Sequence, residues 1–229
     1  INNSGSISNI NNAGLIKGAI ANNGTGVIGG AIINSGIING LGVNAISNAN
    51  NSSAFDINNS GSIIGAINGN VNVNNSGLWA LKNGLTGAAV SSSIAGNYYQ
   101  STGGTLEIVA NSTASGGYSA LSVAGTATFD PATNLYVRIT NPYQVVAGDT
   151  LSGVVVASGD ITSSGFTIGD NLARTDFVYG TTSGSLDLMA VAVAGCSSTI
   201  SAAQTGPCLV AADAPNLVVN SSGSISGAN

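Results

Sequence analysis

Histidine is absent from this chain, and charge is nearly so: 4 Lys+Arg and 9 Asp+Glu stand among 229 residues. Without His, a Ser-His-Asp triad is excluded, and metal sites lose their commonest ligand. Glu107 is the only glutamate. Converging carboxylates for a glycosidase therefore have to come from aspartates. Before Lys82 the chain offers only Asp56, while Asp160, Asp170, Asp176 and Asp187 lie in the second half near Arg174. We read these as solvated turn residues with at most a surface ion pair, and assign no catalytic, cofactor-binding or metal-ligating residue. A Walker A run, a strand–helix GxGxxG and the GGxGxDxUx calcium repeat are all missing. Proline is absent before Pro131. No apolar run approaches the roughly 18 residues of a spanning helix. The net charge of −5 argues against nucleic acid as a partner, because phosphate recognition wants a basic face. Mean hydropathy is nevertheless +0.34, so the chain is not a charged disordered tail.

What is present is asparagine, glycine and isoleucine. Asn fills 20 of the first 80 positions. INNSGSI at 1–7 returns at 57–63 and, as VNNSGLWAL, at 73–81, with looser copies at 10–20, 20–32 and 32–41. Repetition on this scale is the signature of a solenoid. Helix is disfavoured, since Gly costs up to about 1 kcal/mol per site against Ala. Aliphatic residues two apart fit a strand, and Asn-Ser-Gly fits a tight corner. The expected class is all-β: a parallel β-helix with an Ile/Val/Leu interior and asparagine ladders running between coils. About eleven coils of roughly 20 residues at strand spacing make a rod of roughly 50 Å.

Composition divides the chain into four stretches. Residues 1–95 are the Asn/Gly/Ile repeat. Residues 96–195, read as continuing the solenoid, hold longer alternating strands with hairpin turns and most of the aromatics. Residues 196–216 contain Cys196 and Cys208, expected to close a local disulfide in an oxidising compartment. Residues 217–229 return to the opening motif, NSSGSIS echoing NNSGSIS.

The run NYYQSTGGTLEIVANSTASGGYSALSVAGTATF resembles the C-terminal autochaperone region of bacterial autotransporter passenger domains. The matching positions are Tyr98, Gln100, Gly103, Gly104, Leu106, Ile108, Leu121, Val123, Gly125 and Ala127. SGLWAL at 76–81 is similar to the last passenger coil before that region. The resemblance implies a right-handed β-helix, passage through an outer-membrane translocator, and an extracellular or cell-surface stalk, adhesin or fibre. It also implies that the second half helps the first to fold. The departure is that family members continue into a membrane β-barrel, whereas here the chain returns to its opening motif.

Two functions are weighed. In the first, the subunit is its own partner: units stack head to tail into a filament. Leu217, Val218, Val219, Asn220 and Ile225 of one copy then add to Ile1, Asn2, Asn3, Ile7 and Ile10 of the next. In the second, a monomeric autotransporter adhesin binds glycan or a host or matrix surface through its lateral face. Neither requires a cofactor.

Overall fold

The computed structural model describes residues 1–49, 53–140, 144–172 and 175–192, together with the backbone of the short strands Thr199–Ile200 and Val218–Val219. Strands are the only regular elements among the described residues, and most pair in parallel. They form three columns that the chain visits in a fixed order. The first column runs from Asn2–Asn3 through Ile20–Asn22 and the ends of Ile37–Asn48 and Ser62–Gly69 to Ser92–Ile94, Leu121–Val123 and Thr150–Ala157. The second is a seven-stranded sheet, from Ile10–Asn12 through Ala31–Asn34, Phe55–Asn59, Val71–Asn75, Tyr98–Gln100 and Ala127–Phe129 to Ile161–Ser163. The third runs from Leu15–Lys17 through the starts of Ile37–Asn48 and Ser62–Gly69 to Leu78–Leu81, Thr105–Ala110, Asn134–Ile139 and Thr167–Asp170. Because Ile37–Asn48 and Ser62–Gly69 each cross a corner unbroken, the first and third columns merge into one 14-stranded sheet.

Two expectations are corrected here. Circuits do not share one length: the circuit from Ala127 to its partner Ile161 is more than twice the one from Ile57 to its partner Val73. Seven layers at strand spacing therefore stack to roughly 30 Å, not 50 Å. Residues beyond 96 are also not chiefly hairpins. Thr105–Ala110 and Asn134–Ile139 pair in parallel, with Leu106 beside Leu135. The alternation of apolar and polar residues identified strands but could not tell their partners, since both pairings share a period of two. Among the described residues, antiparallel pairing beyond single bridges belongs to the hairpin Thr175–Thr182 with Ser185–Ala192, which also lies along Thr150–Ala157.

The interior is a set of side-chain columns. Ile32, Ile57, Val73, Tyr98 and Ala127 stack in one, and Ile38, Ile63, Trp79, Leu106 and Leu135 in another; all are buried. Each of these columns holds one aromatic among its aliphatic residues. Trp79, Tyr98, Phe129, Phe166 and Tyr179 form an unbroken series of ring contacts, with centroids between 4.2 and 5.7 Å apart. Trp79 Nε1 donates to the Gly65 carbonyl at 3.0 Å, satisfying its one polar atom.

The Asn-x-Gly motif explains the tight corner between the second and third columns. The inward amide of Asn12 donates to Asn34 Oδ1 at 2.7 Å, Asn34 to Asn59 at 2.7 Å, and Asn59 to Asn75 at 2.8 Å. The amides also tie down corners: Asn34 Nδ2 donates to the carbonyl of Gly36 in its own corner (3.2 Å) and to that of Ser62 in the next layer (3.1 Å). A second ladder joins Asn3, Asn22 and Asn48. At the next layer the corner is longer, and Gln100 replaces Asn. Its longer side chain reaches the carbonyls of Gly104 (2.9 Å) and Asn134 (2.7 Å). Among the described residues no buried side-chain nitrogen or oxygen lacks a partner. Such a core can carry polar ladders without the cost of orphaned amides.

Candidate functional site

Ile1, Asn2, Asn3, Ile7 and Ile10, one half of the proposed subunit contact, lie in the first layer. Asn2–Asn3 pair only with Ala21–Asn22, Ser6–Ile7 with Val27–Ile28, and Ile10–Asn12 with Ile32–Asn34, among the described residues. Their carbonyls point toward the second layer: those of Ile1, Gly5, Ile7 and Gly14 accept from Ala21, Val27, Gly29 and Ile37. Asn3 and Ile10 are buried, Ile7 is half-buried, and Ile1 and Asn2 are exposed. At the far side the layers are not equivalent. The hairpin covers Thr150–Ala157, while Ile161–Ser163 pairs on one side only, among the described residues.

Val218–Val219 pairs in parallel with Thr199–Ile200 of the same chain, in its own two-stranded sheet. Leu217, Asn220 and Ile225 lie outside the described residues, as do Cys196, Cys208 and Arg174.

The corner glycines form a feature that sequence reasoning treated only as turn residues. A Cβ on Gly36 would sit 2.1 Å from the Gly14 carbonyl oxygen, one on Gly61 2.1 Å from that of Gly36, and one on Gly77 2.1 Å from that of Gly61. None of these three needs a left-handed backbone. They are glycine because consecutive corners touch backbone to backbone. Gly14 has open space where its Cβ would be. The register is visible once the ladder is known: an aliphatic four positions before Gly, an amide two before, an apolar residue two after. Val219, Gly223 and Ile225 keep that spacing, with Ser221 at the amide position.

Among the described residues no group of three His, Cys, Asp or Glu side chains converges. Asp187 accepts from the Gly153 amide (2.6 Å) and Ser185 Oγ (3.0 Å). Asp170 accepts from the Leu172 amide at 2.7 Å, and burial, then the nearby Asp176 charge, push its pKa up.

Glu107 is the one carboxylate in a defined ionic cluster among the described residues. It sits on the outer face of the third column, yet its side chain is only 5% exposed. Lys82 Nζ reaches Oε1 at 2.9 Å and Arg138 Nε at 2.7 Å. Burial works to raise the Glu107 pKa, but hydrogen bonds from Arg138 and Lys82 outweigh it, and the net shift is downward. A carboxylate with a lowered folded pKa stabilises the fold above the unfolded value, here the usual 4.5, and loses that contribution as pH falls through the folded value. Lys82 and Arg138 are partly exposed, so solvent screens the pair. We expect Glu107→Gln to cost about 1–3 kcal/mol at neutral pH. The difference between wild type and variant should shrink below about pH 4. Urea melts across pH measure it, and a difference unchanged from pH 7 to pH 3 would mean that packing, not charge, is at work.

The exposed aromatic on the second column is Tyr99. Its hydroxyl donates to Asp130 Oδ2, and that bond, with some burial and the carboxylate charge, raises the phenol's pKa. Tyr98 points inward, where its hydroxyl donates to Gln100 Oε1, and burial raises its pKa strongly. Comparison with protein-family models, with curated proteins and with solved structures gave no match.

Proposed function

We propose that the chain is a right-handed β-helix and acts as a non-enzymatic, extracellular structural subunit that stacks head to tail into a surface filament. One observation carries this reading. The corner at Gly14 presents the same backbone surface that Gly36, Gly61 and Gly77 use to receive the preceding corner, and 217–229 contains a segment in the matching register. A parallel strand added to Ile10–Asn12 would place Val219 over Ile10, Gly223 over Gly14 and Ile225 over Ile16. Adding a strand to a sheet edge satisfies backbone groups that otherwise need water. A head-to-tail contact of this kind does not close on itself, and so propagates. Secretion through an outer-membrane translocator, with the second half assisting folding, belongs to the same proposal.

Electron microscopy of the purified chain over a range of concentrations tests it. Filaments with an axial repeat of at least about 30 Å are expected. Gly14→Ala should leave the melting temperature of the monomer unchanged, because nothing lies within 4 Å of the added methyl. It should abolish filaments, because an incoming carbonyl would meet that methyl. Deleting 217–229 should do the same. Uniform short rods at every concentration, or filaments that persist in both variants, would reject the stacking model. The rods would leave the monomeric adhesin as the better reading.

A further inference from the structure

The outer face of the second column bears a shallow groove of about 290 Å³, whose lining includes Ile33, Asn58, Asn74, Ser76, Tyr99 and Ser101. Tyr99 is the only ionisable residue of that lining. Asn74 Nδ2 donates to Asn58 Oδ1 at 2.8 Å, which fixes both amide planes. The pairing leaves Asn58 Nδ2 and Asn74 Oδ1 with no partner among the described residues: a donor at one end of the pair and an acceptor at the other. Ser76 and Ser101 follow each other along the groove, each hydroxyl turned back to the Asn59 or Asn75 carbonyl. Tyr99 stands at one end with 37% of its surface exposed, its ring held at the tip by the Asp130 carboxylate. Ile33, 47% exposed, forms an apolar wall at the other end.

We propose that this groove binds a short stretch of a neutral glycan, independently of any end-to-end stacking. The chemistry of the lining selects that class. A sugar hydroxyl both donates and accepts, and so complements a fixed amide pair that offers one donor and one acceptor. The apolar C–H faces of a pyranose suit a tyrosine ring and an aliphatic wall. An acidic glycan finds no Lys or Arg in the lining, and an organic cation no carboxylate. A peptide strand is disfavoured as well. Phe55–Asn59 and Val71–Asn75 are each paired on both sides, so the groove crosses a sheet whose backbone groups are already used.

The test is titration of the isotopically labelled full chain with soluble tetramers of neutral β- and α-linked glucose, xylose and N-acetylglucosamine, with tetragalacturonate as the anionic comparison, read by amide and side-chain NMR shifts. At least one neutral tetramer should give saturable shifts confined to Asn58, Asn74, Tyr99 and their neighbours, and tetragalacturonate none. Tyr99→Ala should weaken binding roughly tenfold, the usual scale for removing an aromatic anchor. Asn74→Ala should weaken it comparably, and Tyr99→Phe should keep most of it, with thermal melts confirming that all three variants fold. The absence of any saturable shift at millimolar oligosaccharide would overturn the proposal. Equal binding of tetragalacturonate, or binding untouched by Tyr99→Ala and Asn74→Ala, would do the same. None of these outcomes bears on filaments, which are scored separately by microscopy.

Discussion

Asn59→Ala is expected to destabilise the chain by about 3–5 kcal/mol, far more than an ordinary Asn→Ala change. Asn59 is 2% exposed and holds the middle of the corner ladder. Its Nδ2 donates to Asn75 Oδ1 (2.8 Å), to the Leu78 carbonyl (3.0 Å) and, more loosely, to the Gly61 carbonyl (3.4 Å). Its Oδ1 accepts from Asn34 at 2.7 Å. Truncation leaves Asn75 Oδ1 and the Leu78 carbonyl buried with a donor removed, each worth about 1–3 kcal/mol. Asn34 Nδ2 loses one of three acceptors and keeps two, so its share is small. The neighbouring Asn58→Ala sits on the outer face, where water replaces the lost partner, and should cost within about 0.5 kcal/mol. Chemical denaturation of both variants makes the comparison. Equal midpoints would remove the inner ladder from the account of stability and leave the apolar columns to carry it alone.

Gly61→Ala should be at least as damaging, about 3 kcal/mol or more, although alanine is the milder residue in most strands. The added methyl would lie 2.1 Å from the Gly36 carbonyl oxygen and 2.6 Å from the Ser35 carbonyl carbon. Both are backbone atoms, so no rotamer change can make room. Relief requires separating two layers whose spacing is set by the parallel hydrogen bonds on either side, including the Ser62 amide to the Gly36 carbonyl at 2.8 Å. Gly14→Ala is the internal control, for the same motif position has open space there. Calorimetric melts of the two variants should differ by about 6–12 °C, since about 3 kcal/mol shifts the midpoint by about 2–4 °C per kcal/mol in a chain of this size. A Gly61→Ala melt matching Gly14→Ala would show that the layers can slide apart at little cost.

Much of the architecture was legible without coordinates. Asn, Ser and Gly at fixed offsets from paired aliphatics exclude helix and demand short strands with tight corners. The poverty of charge points to a surface of amides and hydroxyls. Asparagine ladders between coils are expected from the sequence, and Asn12, Asn34, Asn59 and Asn75 form one; that it lies buried, inside an interior read as purely aliphatic, is shown only by the structure. The sequence could not settle which strands pair. Thr105–Ala110 and Asn134–Ile139 alternate identically whether they form a hairpin or parallel layers one circuit apart. Nor could it show why the corner residue is glycine, because a left-handed turn and a backbone-to-backbone contact select the same amino acid. Only the tertiary structure distinguishes them, by placing Gly36 over Gly14 and Gly61 over Gly36. Glu107 likewise reads as one more exposed strand residue. Lys82 and Arg138 are each about a circuit away along the chain, and parallel stacking alone brings their charges to it. Local pattern thus determined the element type, because propensity and periodicity act over a few residues. The layer register, the ionic cluster and the lateral groove were decided by contacts between residues far apart in sequence, and those are set when the columns assemble.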